Sequence, residues 1–172
     1  MPVYRVILAA TDGSGPGTRA TEVAADIAGR YGARLVLLSV IQPGSLPRGI
    51  SGAAHKELSA SHPLLAKASS SVDKARDQTS RDTGESHALV EELAGLALNH
   101  AVTLAERRDV ADHETFVEHG DPAKIIVEYA VRKDADLIVL GRRGLGGIRQ
   151  LLMGSVTDKV MQLTDRKCLT VK

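Results

Sequence analysis

Apolar residues fall along the chain in two alternating rhythms. Short runs, YRVILAA (4–10), RLVLLSV (34–40), ETFV (114–117), LIVL (137–140) and CLTV (168–171), read as strands. The longer ones carry few polar alternates, as a sheet covered on both faces requires. Between them the spacing changes to that of helices. TRATEVAADIAGRYG puts Ala20, Val23, Ala24, Ile27 and Tyr31 on one face and stops at Gly32. From Ala88 to Arg108, Leu89, Leu93, Leu96, Ala97, Ala101 and Leu104 give a second amphipathic helix. HGDPAKIIVEYAVRK offers Asp121 as N-cap and Pro122 as first helical residue, followed by Ile125, Ile126, Tyr129 and Ala130. SVTDKVMQL (155–163) is the fourth helix. Strands alternating with helices in this way predict a single α/β domain over 1–172. Its architecture is a doubly wound, Rossmann-like, five-stranded parallel sheet with helices on both faces.

Residues 42–87 break the rhythm. They hold nine serines and four glycines with few large apolar side chains, and read as an insertion or flap. Leu65, Ala68, Val72 and Ala75 mark a weak helix from Leu64 to Arg81 within it. Loops of this length are commonly functional.

Composition narrows the function classes. Lys and Arg number 22 against 21 acidic residues, a net charge of +1, so the overall field gives no reason to expect nucleic acid or an acidic membrane as partner. Electrostatic function must therefore be local. The one cysteine, Cys168, allows no intrachain disulfide, and the N-terminal residues lack the zones of a signal peptide. No apolar run nears the ~20 residues that span a bilayer. These features lead to the expectation of a soluble, cytoplasmic protein. With four aromatic residues in all, the core must be built from Val, Ile, Leu and Ala.

In a doubly wound sheet, ligands bind beyond the carboxyl ends of the strands where the winding reverses. Two loops qualify: TDGSG after the first strand, and GRRGLGGIRQLLMGS (141–155), with five glycines, three arginines and no acid. The chain contains no G-x-x-x-x-G-K-[ST], and the first loop is not G-x-G-x-x-G. Gly141 and Gly144 are expected to take positive φ and let backbone amides approach phosphate. Gly154 and Ser155 open a helix whose N-terminus favours an anion, each contact contributing about 0.5–3 kcal/mol. Arg142, Arg143 and Arg149 add positive charge. Asp12, closing the first strand, suits a ribose hydroxyl or a divalent cation between phosphates.

The glycine spacing Gly141, Gly144, Gly154 with Ser155, together with ILAATDGS and HGDPAKIIVEYA, resembles the universal stress protein family, in the branch whose members bind ATP. The resemblance covers residues 3–41 and 88–172. It implies an adenine nucleotide, ATP with Mg2+, at Ala10, Thr11 and Asp12, at Val40 beside the base, and at Gly141, Arg143, Gly144, Gly154, Ser155 and Val156 around ribose and phosphates. A nucleotide-dependent sensor or adaptor with an unidentified protein partner is the implied function. The alternatives are slow ATP hydrolysis, for which no general base or P-loop lysine is evident, and a nucleotide-free interaction module. The resemblance also implies a homodimer, which an exposed final strand CLTVK would suit.

Plain structural roles remain open for the same residues. Glycines after a strand serve as turn residues, Ser155 as an N-cap, Asp12 as a turn acceptor before the first helix, Val40 as core. The six histidines show no i, i+4 pair and no clustering with Cys168, so a metal site built from them is not expected, and His119 reads as a turn residue. Cys168 reads as a buried small hydrophobe rather than a nucleophile.

Overall fold

The computed structural model describes residues 3–42, 83–142 and 155–172, with the backbone alone for 83–89 and Ser155. Its elements follow in the order β1 (Val6–Ala10), α1 (Gly15–Tyr31), β2 (Arg34–Ile41), α2 (Thr83–Glu106), β3 (His113–His119), α3 (Pro122–Arg132), β4 (Leu137–Gly141), α4 (Ser155–Leu163) and β5 (Lys167–Val171). The strands form one sheet in the order β3-β2-β1-β4-β5, and all four pairings are parallel. β1 is central. The chain moves outward from it through β2 to β3, then crosses back to β4 on its other side, so the winding reverses between β1 and β4.

Alternate strand residues serve opposite faces. Ile7, Ala9, Leu35, Leu37, Leu137 and Val139 join one core with α1 and α2. Leu8, Val36, Leu38, Ile138 and Leu140 join the other with α3 and α4. Most of these side chains are wholly buried, and each large one contributes about 1.5–3 kcal/mol. That sum outweighs any single cap or ion pair. α1 presents Ala20, Ala24, Ala25 and Ala28 to the sheet, small residues that let its backbone lie close. Ser14 caps it, accepting from the Gly17 amide, and Gly32 ends it in the left-handed conformation at φ 60°. As expected, Asp121 caps α3, accepting from Ala123 N and Lys124 N with Pro122 in the first turn. The Lys124 amide bond leads the effects that hold the Asp121 carboxyl below its ordinary range.

The amino ends of the strands are closed by charge. Asp136 accepts from Arg5 N at 2.7 Å and Val6 N at 3.0 Å, tying the entry of β4 to that of β1. Asp134 meets Arg5 at 3.4 Å and Arg166 at 2.9 Å, which brings in β5. Burial pushes the Asp136 carboxyl up, but the two amide bonds and the charges of Arg5 and Lys167 outweigh it and hold the group below its ordinary value.

Several expectations change in detail. Tyr31 is not a core residue: it is 42% exposed in the last turn of α1, edge-on to Tyr4. α2 begins at Thr83, earlier than Ala88, so the end of the serine-rich segment is helical. Among its described side chains, 90–106, the buried ones are Ala94, Leu98, Ala101, Leu104 and Ala105, while Leu93, Leu96 and Ala97 are half-buried; the side chain of Leu89 lies outside the described residues. A helix apolar on many sides leaves its buried stripe undetermined by spacing alone, and packing on β2 and α1 chose it. Cys168 is half-buried against the α3/α4 core, and burial pushes its thiol up. The weak helix from Leu64 to Arg81, and residues 43–82 of the flap, lie outside the described residues.

Candidate functional site

Three strand ends meet on the carboxyl side of the reversal point. The β1–β4 register ends with Ala10 opposite Leu140, so Thr11 and Gly141 stand opposite each other one position on. Thr11 is buried; its amide donates to Leu38 O at 2.9 Å, extending the β1–β2 ladder by one bond beyond Ala10. Beyond this point β1 leads through Asp12 into the turn before α1, and the carboxyl ends of two strands at such a reversal are where doubly wound sheets bind ligands.

Asp12 forms the near lip. Its Oδ1 accepts from Ser14 N at 3.0 Å and Ser14 Oγ at 2.5 Å, an arrangement in which one carboxylate oxygen shapes the turn that starts α1. Ser14 is buried, and its oxygen accepts from Gly17 N at 3.2 Å, so Asp12, Ser14 and the first turn of α1 form one unit. The turn role of Asp12 is therefore real. It leaves the aspartate exposed at the carboxyl end of β1.

Gly141 is a glycine for a different reason from the one expected. It lies within β4 and does not take positive φ. A Cβ there would lie 2.7 Å from the Pro16 carbonyl carbon and oxygen and 2.9 Å from Gly17 N. Gly17 has a separate, local restriction, since its Cβ would meet Asp12 Oδ1 at 2.8 Å and Thr11 Oγ1 at 3.0 Å. Gly141 allows the start of α1 to sit directly against the end of β4, and Gly17 leaves room for the turn that precedes the helix. Close approach, rather than a left-handed turn, is what position 141 requires.

On the α3/α4 face, Ala10, Val40 and Val156 all pack half-buried against one core cluster. Val40 does carry the structural role open to it. Val156 is the second residue of α4, whose first residue is Ser155, as the helix SVTDKVMQL predicts. The Thr157 hydroxyl donates to Gly141 O at 2.9 Å and fastens α4 to β4. The structure thus brings together Ala10, Thr11, Asp12, Gly141 and the start of α4, with Val40 at the end of the neighbouring strand. Arg143, Gly144 and Gly154 lie outside the described residues.

Sequence reasoning missed Ser14, Gly17 and Thr157. The Asp12-x-Ser14 spacing before Pro16 was a readable turn-and-cap signal. Gly17 answers to the same turn, whose Asp12 and Thr11 side chains fill the place of a Cβ. Nothing local marks Thr157, whose role depends on β4. His119 is the last residue of β3 rather than a turn residue, with Nε2 2.9 Å from Glu91 Oε1 of α2. Among the described residues no group of three His, Cys, Asp or Glu could hold a metal ion, and no described helix is long and apolar enough to cross a membrane.

Comparison with known proteins agrees with this geometry. The model of the universal stress protein family matches residues 3–172, running across the serine-rich segment. A universal stress protein of Thermus aquaticus is 28% identical over 159 residues, 92% of each chain. One from Methanocaldococcus jannaschii is 39% identical over 84 residues, and this match spans about half of either chain, 49%. A solved universal stress protein in complex with cAMP aligns with a TM-score of 0.60 at 25% identity, covering 98% of this chain and 96% of its own. With the family model matched over nearly the whole sequence, the chain belongs to the universal stress protein family.

Proposed function

We propose that the β1–β4 crevice binds ATP with Mg2+, and that the protein works as a nucleotide-dependent sensor or adaptor in the cytoplasm. The observation that carries this reading is the junction of Asp12, Thr11, Gly141 and the start of α4 at the one place where the sheet reverses its winding. Small residues there admit a ligand close to backbone, and the free amides of a helix N-terminus favour phosphate. The similar structure with cAMP supports an adenine nucleotide.

In this reading Ala10, Thr11 and Asp12 line one side, with Val40 beside the base. Gly141, Arg143, Gly144, Gly154, Ser155 and Val156 surround ribose and phosphates. A protein cage for a metal is not needed, because Mg2+ is commonly held by one or two carboxylates plus phosphate oxygens. Asp12 is the carboxylate placed for it. The β5 edge of the sheet is the surface proposed for a homodimer.

The deciding experiment is mass spectrometry of whatever is released when freshly purified protein is denatured, followed by titration with ATP and a phosphate-release assay. An adenine nucleotide near one per chain, or tight ATP binding without turnover, supports the sensor. Repeated turnover moves the protein to the hydrolases, and absence of both release and binding defeats the nucleotide reading. As a local check, Gly154→Val places a branched Cβ in the phosphate cradle. ATP binding should be lost while the circular dichroism spectrum is kept, and unchanged affinity removes Gly154 from the site.

A further inference from the structure

We propose that Thr157 is a positioning residue of the crevice: its hydroxyl takes the place of a missing strand partner and holds the first turn of α4 over the end of β4. Thr157 is 3% exposed, and its hydroxyl donates to Gly141 O at 2.9 Å. The direction of that carbonyl gives the bond its meaning. A trans peptide points its C=O and N–H to opposite sides, and no described peptide bond is cis. The Arg142 N–H donates to Val171 O at 2.6 Å, toward β5. The Gly141 carbonyl therefore points away from β5, to the β1 side, into the crevice.

There the ladder has run out. The last β1–β4 pair is Ala10 with Leu140, and the amide of Thr11, the residue after β1, belongs to the β2 side, where it donates to Leu38 O as the next bond of that parallel ladder. A carbonyl at the end of a ladder must find a donor or remain costly to bury. Thr157 supplies one from the third residue of α4. The bond joins the start of α4 to the last residue of β4 and fixes the helix by its N-terminal turn. The amides of this turn have no partners within the helix. The inference rests on the proposed nucleotide reading for its ligand, whereas the pin itself does not.

Two substitutions separate these parts. Thr157→Val keeps the branched shape and removes the donor, and Thr157→Ser keeps the donor. Calorimetric titration with ATP and Mg2+ should show Thr157→Val binding roughly tenfold more weakly and Thr157→Ser within about twofold of the parent chain. Hydrogen exchange without ligand should be at least about tenfold faster along α4 in Thr157→Val and near the parent rate in Thr157→Ser. Unchanged exchange in Thr157→Val overturns the pin. Faster exchange with unchanged ATP affinity overturns the positioning role. A parent chain that binds no adenine nucleotide defeats the proposed function instead, and the ligand-free exchange rates still decide for or against the pin.

Discussion

The two ends of the sheet are built by opposite means. At the amino ends, long charged side chains close the gaps: Asp136 gathers the amides of Arg5 and Val6, and Asp134 bridges Arg5 and Arg166. At the carboxyl ends of β1 and β4, small residues and short hydroxyls do the joining, through Ser14, Gly17, Gly141 and Thr157. Both ends connect β1 to β4. Only the second sets an exposed carboxylate, Asp12, beside residues this small. The comparison teaches that a fold can be stapled at one end so that the other end stays small.

The largest effect that would break this contrast comes from adding bulk at the carboxyl end. Gly141→Ala places a methyl group 2.7 Å from the Pro16 carbonyl, in contact with backbone that cannot step aside without moving α1. Overpacking of this kind costs about 2–3 kcal/mol. Denaturant titration should show that loss, together with weakened ATP binding. A variant as stable as the parent chain would mean that the contact between α1 and β4 is slack.

Next in size is Asp12→Ala, expected to weaken ATP binding roughly three- to tenfold, and more with Mg2+ present than without. Titration under both conditions reads the difference directly. Equal losses would assign the carboxylate to the ribose. A change in stability with unaltered affinity would leave it only the turn with Ser14.

The smallest effect belongs to the stapled end. Asp136→Asn should cost about 1 kcal/mol at neutral pH, since the carboxylate keeps part of its hydration, and should leave ATP affinity unchanged. The Asp136 carboxyl lies below its ordinary value when folded, so its contribution is present above the ordinary 3.8 and is lost as pH falls through the folded value. Stability curves of the parent and Asp136→Asn should accordingly converge below about pH 3.8. A gap that persists in acid, or a variant with altered nucleotide affinity, would show that the two ends are not independent.

What the sequence determined by itself is what local physics dictates. Apolar runs gave five strands, the 3.6-residue period gave the helices, Asp121 with Pro122 marked the start of α3, and Gly32 marked the end of α1. The same patterns placed two polar, glycine-bearing loops after strands, and the spaced glycines with the aspartate loop were enough to resemble the family to which the chain belongs. Tertiary structure decided what depends on neighbours distant in sequence. It set the strand order that puts β1 beside β4, and with it the meeting of Thr11 and Gly141. The buried stripe of α2 passed to Ala94 and Leu98, and Tyr31 stayed half in water. Gly141 changed from a turn glycine into a contact glycine because α1 presses on it, and Thr157 became a donor because the β1–β4 pairing stops at Ala10 and Leu140, short of the Gly141 carbonyl. Periodicity is a property of one segment, whereas close approach and an unpaired carbonyl are properties of two, and the chain writes only the first in consecutive letters.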